Sequence, residues 1–185
     1  MPLKHMDGDI LEAKTQVVVN TVNCKGIMGK GLALQFKKKY PEMYQEYKQQ
    51  CAEGKVTIGT LQLYKKAPKH WILNFPTKNH WRQKSKLEYI EKGLVAFKEK
   101  YEEWGITSIA FPRLGCQQGG LDWAEVKPLM EKYLADLPNL TVQIFTYKPS
   151  TQKPTRKAKR TKKSLKTETR EEKQQTLANF HKTKL

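Results

Sequence analysis

Two periods of apolar residues alternate along the first 147 positions. Val17-Val18-Val19 is a β-branched run that leads into a glycine-containing loop, Asn20 to Gly31. Ile72-Leu73-Asn74-Phe75 and Ile109-Ala110-Phe111 are short apolar runs, each expected to stop at the proline that comes next. Val142-Gln143-Ile144-Phe145 alternates as a strand with one buried face does, and Thr60 to Tyr64 reads as a further strand. Between these runs the spacing changes to three and four. Leu32 and Phe36 stand one turn apart, and Pro41 ends that helix while suiting the first turn of the next. Ser85-Lys86-Leu87-Glu88 and Asp122-Trp123-Ala124-Glu125 have capping-box spacing. Leu87, Ile90, Leu94, Phe97 and Tyr101 follow the first box, and Val126, Leu129, Met130 and Tyr133 follow the second. Such stripes are core-facing helix surfaces. Strands alternating with helices predict an α/β sheet covered on both faces.

Charge divides the chain. Its 185 residues carry 35 Lys and Arg against 18 Asp and Glu, a net charge of +17. Residues 148–185 hold 13 of the basic residues and three Glu, which leaves +7 for residues 1–147. That basic segment has only Leu165, Leu177, Phe180 and Leu185 as large apolar residues, too few for a core. A folded domain over 1–147 with a basic tail over 148–185, disordered in isolation, is therefore expected. No apolar run approaches the ~18–20 residues of a membrane-spanning helix, and the opening MPLKHMDGDILEAK lacks the apolar stretch of a secretion signal. Cytoplasmic residence without membrane association follows as an expectation. Cys24, Cys51 and Cys116 are odd in number and widely spaced, which disfavours a disulfide framework or structural zinc, and no metal-ligand cluster is apparent.

Three loops concentrate candidate chemistry. Asn20 to Gly31, with Asn23, Gly26, Met28, Gly29, Lys30 and Gly31, runs from a strand into a helix. Its glycines let the backbone approach a ligand, and the helix start offers free N–H groups to an anion. It matches neither a P-loop nor a dinucleotide fingerprint. Arg113, Gly115, Cys116, Gln117, Gln118, Gly119 and Gly120 form a second loop between a strand and the Asp122 cap. Two such loops at carboxyl ends of strands suit a diphosphate held between them. The third segment, Phe75 to Arg82, contains Thr77, Lys78, His80, Trp81 and Arg82. Lys78 suits nucleophilic chemistry if desolvation lowers its pKa, His80 and Arg82 suit phosphate, and Trp81 suits base stacking.

At these residues the sequence resembles the macrodomain family, and within it the DarG-type antitoxin branch. The matching text is Gly8-Asp9-Ile10, NTVNCKGIMGKGLALQFKKKYP, NFPTKNHWRQKSKLEYIEKGL and AFPRLGCQQGGLDWAEVKPLM, in order over roughly residues 3–147. The resemblance implies a three-layer α/β/α fold with a mixed central sheet that binds ADP-ribose. It further implies metal- and cofactor-independent hydrolysis of ADP-ribose from thymidine in single-stranded DNA, opposing a DarT-type toxin. By position, Asp9 matches the aspartate that reads the adenine amino group, with Gly8 and Ile10 beside it. Asn23, with Asn20 near it, matches the asparagine region at the distal ribose. The Gly26–Gly31 and Gly115–Gly120 loops match those around the diphosphate and distal ribose. Lys78 matches the catalytic lysine shared with the terminal ADP-ribose protein glycohydrolases, where it attacks the anomeric carbon.

Two positions depart from the family pattern. Gly119 stands where the protein glycohydrolases have a catalytic aspartate, which favours the DNA-directed branch. Gln117 stands where both branches usually have glycine, and a side chain there is expected to crowd the loop or impose another turn. The expected function is thus release of ADP-ribose from thymidine in DNA by a monomer, with Lys78 and Asn23 catalytic and His80, Trp81 and Arg82 on the nucleic acid. Alternatives are a phosphatase acting on ADP-ribose 1″-phosphate and a module that binds ADP-ribose without chemistry.

Overall fold

The computed structural model describes residues 3–68 and 70–146; the basic segment 148–185 lies outside the described residues. Strands β1 (Lys4–Asp7), β2 (Val17–Asn23), β3 (Gln62–Lys65), β4 (Trp71–Lys78), β5 (Ser108–Pro112) and β6 (Thr141–Thr146) form one sheet in the order β1-β6-β5-β2-β4-β3. All neighbours are parallel except β3 with β4, so the sheet is mixed. Four helices, α1 (Gly31–Lys39), α2 (Pro41–Ala52), α3 (Leu87–Lys100) and α4 (Trp123–Leu134), cover it, with one 3-10 turn at Ile10–Glu12.

The period of two in the strands sorts side chains between two cores. Val17, Val19, Leu73, Phe75, Ile109 and Phe111 pack with Ile90, Leu94 and Phe97 of α3 and Val126 and Met130 of α4. Ile72 and Val22 join Phe36 of α1 and Met43, Tyr44 and Tyr47 of α2 on the opposite face. The result is the three-layer α/β/α arrangement. Close approach of α3 depends on Gly93: a Cβ there would stand 2.2 Å from Phe75 Cζ, inside a fully buried ring.

The structure corrects the expected boundaries in three places. Pro76 lies inside β4, which runs on to Lys78, whereas β5 does end at Pro112. β3 pairs only with Trp71–Asn74, so β4 has an open edge at Pro76, where a residue lacking an N–H is tolerated. The Asp122 cap forms, its carboxylate accepting from the Ala124 N–H at 2.9 Å. The Ser85 cap does not: α3 starts one residue later, behind Lys86, without a side-chain cap. Ser85 instead donates its backbone N–H to the Gly119 carbonyl at 2.9 Å. β1 has no signature in the sequence, since all four of its residues are exposed and no apolar alternation marks it.

Candidate active site

The carboxyl ends of the parallel strands open into a cleft of about 1290 Å³. Asn23 and Lys78 reach it from β2 and β4, Arg113 from the end of β5, Phe145 and Thr146 from β6, and Gly8 from beyond β1.

At one end the sheet itself brings the two candidate catalytic residues together. β2 and β4 run in register to the pair Val22–Pro76, then shift so that Asn23 stands opposite Lys78. The shift inserts one extra residue, Thr77, and re-aims the Lys78 side chain beyond it, as bulges do. Asn23 is itself fixed. Its Oδ1 accepts from the N–H of Lys25 at 2.9 Å, and its Nδ2 donates to the Ile27 carbonyl at 2.6 Å. Tyr47 Oη, buried under the loop, donates to the Asn23 carbonyl at 2.6 Å. The Tyr47 hydroxyl is held protonated, with its pKa raised by burial first and by neighbouring Cys51 second. Lys78 is half-buried, and burial pushes its ammonium pKa below the ordinary lysine value. Its Nζ donates to the backbone carbonyl of Gln118, which joins β4 to the loop across the cleft.

That second loop is built around two glycines. Gly115 has φ +70°, a left-handed conformation that disfavours a side chain. Gly119 is required for space: its Cβ would lie 2.2 Å from the Gly115 carbonyl oxygen and 2.3 Å from Ser85 Oγ. An aspartate side chain therefore has no room at this position. Gln117, expected to crowd the loop or impose another turn, is exposed and lines the cleft; it has no left-handed φ, and its carbonyl accepts from Gly120 N–H at 3.3 Å. Toward the other end, the Arg113 guanidinium lies 4.8 Å from the Trp123 ring centroid. Cys116 lines the same wall, and burial raises its thiol pKa to about 11.

Most of the sequence-predicted residues share this cleft. Gly8, Ile10, Asn23, Gly29, Lys30 and Gly31 line it from the first half of the chain, and Thr77, Lys78, Trp81 and Arg82 from the third segment. Arg113, Gly115, Cys116, Gln117, Gln118 and Gly119 complete it, while Gly120 stands just behind. Asp9 lies between two lining residues, and its carboxylate caps the 3-10 turn by accepting from Leu11 N–H at 2.9 Å. His80 sits outside the lining and stacks on Trp81, ring centroids 5.5 Å apart. Gly26 packs against Cys51 and Lys48 of α2.

Asn20 and Met28 are placed elsewhere than expected. Both are buried away from the cleft, with Asn20 Nδ2 donating to Asn74 Oδ1 at 2.9 Å and lying 3.8 Å from Met28 Sδ. They support the first loop from below. Ile27, Trp123, Phe145, Thr146 and Lys84 also line the cleft, although the sequence reading places none of them there. Only Trp123 carries a usable signal, since it stands just after a helix cap at the mouth of a glycine loop.

The macro domain profile matches residues 19–130. The chain belongs to the macro domain family. Its sequence is 48% identical over 142 residues to the DNA ADP-ribosyl glycohydrolase of Mycobacterium tuberculosis, covering 75% of this chain and 40% of the relative. Among solved structures, the macrodomain of Mycobacterium tuberculosis DarG superposes with a TM-score of 0.75 at 44% identity, covering 77% of this chain and 96% of that one. Thermosipho africanus DarTG, solved in complex with ADP-ribose, gives 0.74 at 35% identity over 83% and 43% of the two chains. The chain thus spans about 40% of the length of the curated DNA ADP-ribosyl glycohydrolases it matches.

Proposed function

We propose that this macro domain is a hydrolase that removes ADP-ribose from thymidine in single-stranded DNA, with Lys78 as the catalytic residue and Asn23 at the distal ribose. The observation that carries the reading is the register shift that sets Asn23 opposite a half-buried Lys78 at one end of a glycine-walled cleft. The similarity to proteins named DNA ADP-ribosyl glycohydrolase supports the substrate class. The absence of room for an aspartate at Gly119 supports DNA over protein glutamate as the carrier.

In this reading the glycine loops and the start of α1 hold the diphosphate, so the distal ribose is presented to Lys78 in a fixed pose. Desolvation favours the neutral amine. Its lone pair forms a bond to the anomeric carbon as the bond to the thymine ring nitrogen breaks, and thymine leaves with the electron pair and takes a proton from solvent. Water then adds to the anomeric carbon as its bond to Lys78 Nζ breaks, the electron pair returning to the nitrogen. A proton of the water passes to the amine or to solvent, so that ADP-ribose is released and the lysine is restored. No metal enters these steps.

The remaining assignments belong to the same proposal. His80, Trp81 and Arg82 face the DNA, and the basic segment 148–185 raises affinity for the strand without reading its sequence. The protein acts as a cytoplasmic monomer opposing a DarT-type transferase. The fusion protein named for both activities in Thermosipho africanus supports that pairing, and among the described residues no helix is long and apolar enough to cross a membrane.

A substrate panel tests the reading. Equal amounts of an oligonucleotide carrying ADP-ribosyl-thymidine, a peptide carrying ADP-ribosyl-glutamate and ADP-ribose 1″-phosphate are offered, and products are followed by mass spectrometry. Release from the oligonucleotide alone is expected. Turnover of the 1″-phosphate without action on the oligonucleotide would establish a phosphatase instead, and binding without turnover a reader module.

A further inference from the structure

Beyond the ADP-ribose cleft, we infer that Ile27 and Trp81 form a subsite for the leaving base, gripping a pyrimidine ring attached to the distal ribose. The inference rests on the cleft being one for ADP-ribosyl-thymidine. Among the described residues only four large apolar side chains are exposed, and two of them line this cleft: Ile27 at 43% and Trp81 at 44%. Exposed apolar side chains gathered at one opening mark a place for a partner surface. Their position follows from the sheet. Asn23 and Lys78 end neighbouring strands opposite one another, and Ile27 and Trp81 stand four and three residues further along the loops those strands feed. Both side chains line the same cleft as Asn23 and Lys78.

Both are held in place. The Ile27 backbone anchors its loop by accepting from Asn23 Nδ2 at 2.6 Å. Trp81 is braced by its chain neighbours, with His80 stacked on it at an interplanar angle of 27° and the Arg82 guanidinium 4.5 Å from its centroid. A ring braced in this way keeps its exposed part ready to meet an unpaired base at low ordering cost. Charge agrees with a polyanionic carrier. The cleft lining contains Lys30, Lys78, Arg82, Lys84 and Arg113 but a single carboxylate, Asp122. A diphosphate alone does not require five cations. Size agrees also, since about 1290 Å³ exceeds the ~300–1000 Å³ common for small-molecule sites. A small carboxylate carrier such as glutamate would leave Ile27 and Trp81 uncovered.

The test is equilibrium binding in the full chain bearing Lys78→Ala, which prevents turnover during the measurement. Three probes are compared: free ADP-ribose, the ADP-ribosyl-thymidine nucleoside, and a single-stranded oligonucleotide carrying it. The nucleoside conjugate is expected to bind about tenfold more tightly than ADP-ribose, within the range for one stacked base. Trp81→Ala and Ile27→Ser should each remove most of that gain and Trp81→Phe should keep it, the gain being read in every variant as the ratio of conjugate affinity to free ADP-ribose affinity. Both substituted residues are exposed, so folding is not at issue. A conjugate that binds no better than ADP-ribose, a gain seen only with the oligonucleotide and lost in salt, or a gain that survives both substitutions would overturn the subsite. Release by the unsubstituted protein, measured separately on the same oligonucleotide, reports on the hydrolase reading alone.

Discussion

Lys78 faces two opposed influences. Burial disfavours its charge, while the Gln118 carbonyl accepts from it. The net pKa lies below the ordinary lysine value, and the mechanism uses the neutral form. The sign is therefore fixed: kcat/KM on the DNA conjugate should rise with pH and level off below the pH at which an ordinary lysine would. A profile that instead falls as pH rises would assign Lys78 the role of a proton donor. Gly119 is a second point of leverage. Gly119→Ala places a methyl group 2.2 Å from the Gly115 carbonyl oxygen, which is backbone and has Ser85 behind it. The loop must open, and ADP-ribose affinity by calorimetry should drop at least about tenfold. Residues of this kind are legible unevenly. Lys78 and Asn23 stand in distinctive strings after β-branched or apolar runs. Asn20 shares a string with Asn23, yet the three-residue separation sends it to the opposite face of β2, against Asn74 and Met28. Ile27 and Phe145 are apolar residues near strand ends, indistinguishable in sequence from core.

Elements position these groups through packing that periodicity only partly announces. The stripes on α3 and α4 mark both helices and their buried faces, and the apolar runs mark strands β2, β4, β5 and β6 near their observed limits. Close approach leaves no such mark. A glycine in mid-helix reads as a weak point, but Gly93 lets α3 lie directly against Phe75, on the strand that carries Lys78. Gly93→Ala is expected to lower stability by about 1–3 kcal/mol through overpacking, outweighing any gain in helix propensity. Chemical denaturation of the two proteins checks this, and a more stable variant would show that Phe75 can move aside. Ser85 illustrates the same blindness: its spacing to Glu88 is that of a capping box, but its backbone N–H is taken by Gly119. A contact with a loop some thirty residues away competes with the local cap, and sequence spacing carries no trace of it.

At the scale of the whole molecule, the fold gathers loops from distant parts of the chain at one sheet edge, and the charge is unevenly spread along the sequence. Residues 148–185 carry 13 of the 35 basic residues. Removing them should leave ADP-ribose affinity and turnover at saturating substrate unchanged, while raising KM for a modified oligonucleotide and flattening its dependence on salt. An unchanged salt dependence would assign DNA binding wholly to the cleft rim. The central claim, that Lys78 performs the chemistry while the loops perform the binding, is tested most directly by one comparison. Wild type and Lys78→Ala are titrated with ADP-ribose and assayed side by side on a gel for release of ADP-ribose from thymidine in a single-stranded oligonucleotide. The account predicts ADP-ribose affinities within a few-fold of each other, with the unmodified band restored by wild type alone. Undiminished release by Lys78→Ala would contradict it.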